Sequence, residues 1–143
     1  MKINRLFLGL VLTSTLGSCG YRSPFLEIKD QDMTIQAMQL KDQNGETDLS
    51  YKVRLTLNDK NINSQSSTKN NDLLYRMDSC FYATENGKKT YPIMVQYVAN
   101  GVKNSYEYLV QFERNKQSTD SITIVYDDHY LNKKTYTLRL AIR

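Results

Sequence analysis

The segment that decides the fold has the sequence LSYKVRLTL and spans Leu49–Leu57. Every second residue from Leu49 onwards is apolar, and the residues between them are Ser, Lys, Arg and Thr. Because successive side chains of a β-strand point to opposite faces, this alternation predicts one buried face and one solvated face. Such a strand is typical of an antiparallel sheet that packs on one side.

Similar patterns recur on both sides of this strand. Further strands are predicted at 25–29, where the strand lies at an edge, and at 33–41, 73–84, 91–98, 105–113, 121–126 and 135–142. Turns are predicted at 42–46, 85–89 and 99–104, each of which contains Asn-Gly. The alternation slips at Ala37-Met38, which indicates a bulge. No segment after residue 24 shows a clear helical period. The chain is therefore predicted to be all-β, an antiparallel β-sandwich of immunoglobulin-like or transthyretin-like type, with a small barrel as the alternative.

The N-terminal segment differs from the rest of the chain. Lys2 and Arg5 precede an apolar run at 6–12, and small polar residues follow at 13–15. This is the layout of a secretory signal peptide. The apolar run is far shorter than the ~20 residues that a transmembrane helix needs.

Leu16-Gly17-Ser18-Cys19 comes next. This segment resembles the lipobox of bacterial lipoproteins that signal peptidase II cleaves, which consists of a Leu, two small residues and a Cys. The resemblance covers residues 1–20 and implies cleavage before Cys19, a diacylglyceryl thioether on its sulfur and an acylated amine. An ordinary secretory signal with an unrelated Cys is the alternative.

These features predict a signal peptide at 1–18, a lipidated tether at 19–24 and a β-sandwich domain at 25–143. Lipidation at Cys19 implies that the chain is anchored in the outer membrane, because Gly20 rather than Asp follows the Cys. A periplasm-facing orientation is expected, with the cell surface as the alternative.

Composition excludes some classes of function. Loss of Lys2 and Arg5 with the signal peptide lowers the formal net charge from +4 to +2, and no Lys/Arg-rich run is present, so nucleic-acid binding is not expected. With Cys19 lipidated, Cys80 is left alone and no intramolecular disulfide can form. Cys80 is expected to be a small buried residue, with an intermolecular disulfide as the alternative.

Few residues indicate chemistry. The single histidine lies in Asp127-Asp128-His129-Tyr130, where two carboxylates beside an imidazole could bind a divalent metal or form an acid–base pair. A solvated loop is the expectation for this segment. No phosphate-binding loop, nucleophilic serine motif or metal-ligand spacing is present. The chain is therefore not expected to be an enzyme or to bind a cofactor.

Two further sets of oxygen ligands stand at alternate positions, as calcium sites require. They are Asp30 with Asp32, and Asp59 with Asn61 and Asn63. Neither set has the Gly and the terminal Glu of a calcium loop, so no metal site is predicted.

Two functions fit the segment 1–20 and the predicted sandwich. The first is a structural or assembly lipoprotein that tethers a periplasmic protein partner. In size and layout the chain is similar to the small sandwich lipoproteins of type VI-like secretion systems, although no shared motif supports this. Binding is expected at a strand edge or at the polar loops Asn58–Asp72 and Asp127–Lys134.

The alternative is a ligand-binding or inhibitor lipoprotein that recognises a glycan, a peptide or a foreign enzyme. Tyrosine rings stack on sugars, and the chain holds eleven tyrosines. The candidates are Tyr82, Tyr91, Tyr97, Tyr106 and Tyr108.

Overall fold

The computed structural model describes residues 25–40, 48–58, 67–113 and 121–141. The lipobox and Cys19 lie outside these ranges. The described elements are β1 (Leu26–Lys29), β2 (Met33–Gln39), β3 (Asp48–Leu57), α1 (Ser67–Tyr75), a 3-10 helix (Asp78–Cys80), β4 (Phe81–Glu85), β5 (Lys88–Thr90), β6 (Met94–Val98), β7 (Ser105–Glu113), β8 (Ser121–Asp127) and β9 (Thr135–Ala141). In the described ranges no helix has the length and apolar character needed to cross a membrane.

The strands form two antiparallel sheets. Sheet 1 has the order β1-β2-β3-β7-β6, and sheet 2 has the order β5-β4-β8-β9. Side chains from both sheets form one buried apolar core. The predicted all-β antiparallel sandwich is therefore confirmed, and the strands divide into two sheets rather than one small barrel.

The core lies between the inner faces of the sheets. The apolar side chains of β3 are all buried and the polar ones are half-buried, as the alternation predicts. Phe81 of sheet 2 contacts Tyr108 of sheet 1, with ring centroids 5.7 Å apart. Phe81 also contacts Tyr126 at 5.2 Å. These aromatic contacts join the two layers.

The predicted strand at 73–84 is wrong in its first half. Residues 67–75 form α1, and the strand begins only at Phe81. Leu73, Met77 and Cys80 are buried, and their spacing of four and three residues is helical rather than alternating. The buried Tyr108 hydroxyl donates a hydrogen bond of 2.7 Å to the Leu73 carbonyl oxygen, which holds α1 against the inner face of sheet 1.

Two smaller predictions also fail. The register of β2 and β3 runs without interruption through Ala37 and Met38, so no bulge forms there. The turn between β4 and β5 is shorter than predicted and has Asn86 and Gly87 at its centre, with φ of 49° and 77°. Two central residues with positive φ match the twist of a tight hairpin, so Lys88 already belongs to β5.

Candidate interaction site

The sandwich has two distinct ends. Its near end holds the start of β3 at Asp48, which pairs with Glu113 of β7, and the chain enters β1 at Leu26, level with Val53 in the middle of β3. Its far end holds the turn after β1, the end of β3 and the start of β7. Asn58 donates a backbone hydrogen bond to Asp32, and Leu57 donates one to Asn104. The far end therefore gathers several loops that are distant in sequence.

Both predicted binding loops reach the far end. The described part of Asn58–Asp72 includes the start of α1, where the Tyr106 hydroxyl donates a hydrogen bond to Asn70. The segment Asp127–Lys134 joins the far end through Lys134, which contacts the turn after β1. The remainder of the first loop, at 59–66, lies outside the described residues, and so do Asp59, Asn61 and Asn63.

The buried carboxylate of Asp128 organises the loop that follows β8. Its side chain is only 2% exposed, and it accepts a hydrogen bond of 2.9 Å from the Tyr126 hydroxyl. It also accepts hydrogen bonds from four successive backbone N–H groups, those of Tyr130, Leu131, Asn132 and Lys133. Burial, reinforced by the adjacent Asp128, raises the pKa of Tyr126 well above its ordinary value. The expectation that this whole segment is solvated is therefore wrong for Asp128, because its carboxylate is the hydrogen-bond centre of the loop.

Lys134 joins this loop to the turn after β1. Its ammonium lies 3.0 Å from an Asp30 oxygen and 2.6 Å from an Asp32 oxygen. The Tyr136 hydroxyl donates a further hydrogen bond of 2.8 Å to Asp30. An ammonium thus lies against both carboxylates where a calcium ion would need to bind, and no group of three metal-ligating side chains occurs in the described ranges.

The pKa values of both aspartates reflect this geometry. Burial alone would raise the pKa of Asp30, but hydrogen bonds from the Met33 and Asp32 amides and from Lys134 hold it far below its usual range. The hydrogen bond from Lys134 lowers the pKa of Asp32. The same contacts raise the pKa of Lys134. All three groups are therefore charged at neutral pH, and they connect the two sheets at the far end.

His129 lies on the surface between two oxygen-bearing side chains. Its Nε2 is 3.5 Å from an Asp127 oxygen, and its Nδ1 is 3.5 Å from the Ser79 hydroxyl. Asp128 turns away into its loop, so the two carboxylates do not converge on the imidazole. Both distances exceed the ~2.6–3.2 Å of a nucleophile–base pair; Ser79 is exposed, and Asp127 and His129 are half-buried. The two carboxylates and the imidazole are therefore not brought together as one site.

Cys80 is buried, as the sequence analysis expects. Burial raises the pKa of its thiol to about 11. A thiol that stays protonated at neutral pH is a poor nucleophile. Cys80 is the last residue of the 3-10 helix, and its side chain belongs to the core.

The five candidate tyrosines do not form one surface. Tyr106 and Tyr108 are buried in the core, and Tyr97 is half-buried. Tyr82 and Tyr91 lie together on sheet 2, where the Lys89 ammonium is 3.7 Å and 4.9 Å from their ring centroids. The Lys89 ammonium makes cation–π contacts with both rings, and Tyr91 stays 57% exposed, so two of the five candidates share a surface.

A groove that the sequence does not predict lies between the end of α1 and β6. It has a volume of about 310 Å³ and is lined by Leu74, Tyr75, Met77, Asp78, Val95, Gln96, Tyr97 and Tyr108. We call it the α1–β6 groove. The groove does not follow from a strand at residues 73–77, because its wall is the end of α1. The spacing of Leu73, Met77 and Cys80 is the sequence feature that departs from strict alternation.

Comparison of the chain with protein-family models, with curated proteins and with solved structures finds no match. The fold and the site define the chain as an all-β sandwich with hydrogen-bonded loops at one end and an apolar groove at one sheet edge. Its function must be argued from these features.

Proposed function

We propose that the chain is an outer-membrane lipoprotein, anchored through Cys19, that serves as a structural or assembly subunit and tethers a periplasmic protein partner. A trans-envelope secretion complex is the kind of assembly in which such a subunit works. The lipobox resemblance supports the anchor, and the observation that supports a partner-binding role is the set of ordered loops gathered at the far end.

The short tether from Cys19 to Leu26 keeps the domain close to the membrane. Leu26 is seven positions after Cys19, so an extended tether reaches roughly 25 Å at ~3.6 Å per residue. Leu26, where β1 begins, then lies within this distance of the membrane. Leu26 is level with Val53 of β3 through Ala37 of β2, so the four positions from Val53 to Leu57 place the far-end loops roughly 13 Å further along the strands at ~3.3 Å per residue.

The far end also suits protein binding because its loops are already ordered. Asp128 holds the backbone of four loop residues, and Lys134 joins the loop to the turn after β1. Ordering a loop on binding costs about 0.5–1.5 kcal/mol per immobilised side chain. Preformed loops avoid much of this cost, which favours a specific and stable interaction.

The test is the variant Cys19→Ser, with Cys80→Ser as the matched control. The proposal expects the wild-type protein and Cys80→Ser to fractionate with outer membranes, and Cys19→Ser to appear in the soluble fraction. Metabolic labelling with palmitate should mark the first two proteins and not the third. If Cys19→Ser remains with the membrane, or if the wild-type protein carries no lipid, the anchor is wrong.

A further inference from the structure

We propose that the edge of β6 and the α1–β6 groove together bind an extended segment of the partner as an added β-strand. The segment would be apolar at alternate positions and would place a basic residue near Asp78. This inference deepens the proposed function and rests on it only for the presence of a partner at the membrane.

β6 differs from the other three edge strands in charge. The sheet orders place β1, β5, β6 and β9 at edges. β1 carries Glu27 and Lys29, β5 carries Lys88 and Lys89, and β9 carries Arg139, whereas β6 has the uncharged sequence MVQYV. Charged side chains on an edge strand oppose pairing with another chain. Among the described strands, β6 is thus the edge without this protection.

Exposed apolar side chains gather around the same edge. The described residues include six large apolar side chains that are exposed, and four of them line the groove or lie close to β6 in sequence. Ile93 precedes the strand, Val98 ends it, Val102 follows it, and Tyr75 extends from the groove wall with 76% of its surface exposed. A cluster of exposed apolar groups marks an interaction surface.

The groove supplies pockets for the side chains of an added strand. Val95 and Tyr97 line it and pack against the core. A strand added beside β6 would direct every second side chain to this same face. The volume of about 310 Å³ lies at the lower limit of the ~300–1,000 Å³ of small-molecule pockets. It therefore suits one or two large side chains better than a whole organic ligand.

The charge of the groove distinguishes a foreign segment from a second copy of this chain. Asp78 lines the groove, is exposed and forms no ion pair with the described residues. β6 contains no basic residue, so a second copy paired through β6 would leave Asp78 without a counter-charge and would bring a second Asp78 to the same side. A partner segment with Lys or Arg at this position satisfies Asp78.

The test uses the full lipidated chain in detergent micelles. The probe is a fluorescently labelled synthetic peptide of alternating Val and Thr, with one central Phe and one Arg. Gln96→Lys places a charge on the β6 edge, and Thr137→Lys places the same charge on the exposed face of β9. Both positions are exposed, so neither change should alter stability by more than about 0.5 kcal/mol.

We expect saturable binding by fluorescence anisotropy. Gln96→Lys should weaken it about tenfold or more, because a lysine on the edge opposes strand pairing, and Thr137→Lys should leave it unchanged. Asp78→Asn should weaken binding of the Arg peptide but not of a peptide with Gln in place of Arg. Binding that never saturates, or an equal loss in both lysine variants, would overturn the proposal.

Two further measurements separate the possible failures. A concentration-dependent dimer that Gln96→Lys abolishes, seen by analytical ultracentrifugation, would show that a second copy occupies the edge and would overturn the peptide assignment. Peptide binding that persists in Cys19→Ser supports the edge site even if the anchor proves wrong. Loss of peptide binding in a chain that is still lipidated refutes the edge site alone.

Discussion

The carboxylate of Asp128 should contribute more to stability than any other charged group of the far-end loops. Asp128→Ala would remove the acceptor for one buried hydroxyl and for four backbone N–H groups. The Tyr126 hydroxyl cannot turn to solvent because this side chain is fully buried. Leaving such a donor unpaired costs about 1–3 kcal/mol.

The loop amides add a second contribution. A hydrogen bond to a charged acceptor contributes about 1.5–3 kcal/mol, but the amides of half-buried residues recover part of this from water. Together with the unpaired hydroxyl, the expected loss is about 3–5 kcal/mol, out of the ~5–15 kcal/mol that a domain of this size has. The corresponding fall in melting temperature is about 10–20 °C.

The assay is denaturation in guanidinium chloride, followed by far-ultraviolet circular dichroism because the chain has no tryptophan. Asp127→Ala is the matched control. This neighbouring carboxylate is half-buried and accepts a hydrogen bond from Thr135, so its removal should cost less than about 1 kcal/mol. A loss below about 1 kcal/mol in Asp128→Ala, or equal losses in both variants, would refute the reasoning.

A double-mutant cycle isolates the hydroxyl. Tyr126→Phe alone should destabilise the wild-type protein, because Asp128 loses a donor. In the Asp128→Ala background the same change should be neutral or stabilising, because it removes an unpaired buried group. The coupling energy should be about 1–3 kcal/mol, and additive losses would contradict the proposed pair.

Three other predictions follow from packing and charge. Leu73→Ala should destabilise the fold by about 2–5 kcal/mol, because Leu73 is fully buried. Leu74→Ala, on the half-buried groove wall, should cost distinctly less. Equal losses of unfolding free energy in the two variants would contradict the position of α1. The pKa values of Asp30 and Asp32 are lowered in the folded state, so their stabilisation is complete above about pH 4 and is lost as the pH falls towards their folded pKa values. Lys134→Gln should therefore flatten the acid limb of a stability-against-pH curve, and an unchanged acid limb would show that the ion pairs contribute nothing. The Cys80 thiol, with a pKa of about 11, should resist a thiol reagent at neutral pH until the protein is unfolded, and rapid labelling of the native chain would contradict its burial.

The sequence by itself determines the strands whose faces differ in polarity. The alternation in Leu49–Leu57 depends only on the period of two that every strand has, and the structure buries the predicted face. The same local rule predicts β7 and β9 within a residue of their observed bounds. The assignment of Cys19 also depends on local sequence alone, and it stays a prediction because the segment lies outside the described residues.

The sequence does not determine which of two local patterns prevails at Leu73–Cys80. Leu73 and Met77 fit an alternating pattern as well as a helical one, because positions four apart share a face in both. Packing decides between them: β4 begins only at Phe81, and the Tyr108 hydroxyl bonds to the carbonyl of Leu73.

Only the tertiary structure assigns roles to Asp128, Lys134 and β6. Asp128 is buried because Tyr126 and the loop backbone converge on it, and Lys134 meets Asp30 and Asp32 about a hundred residues away in sequence. The sequence MVQYV shows that β6 is uncharged. It does not show that β6 is an edge strand, because that depends on the sheet order, which places β6 outside β7. Strand order depends on contacts between distant residues, and no local period encodes it.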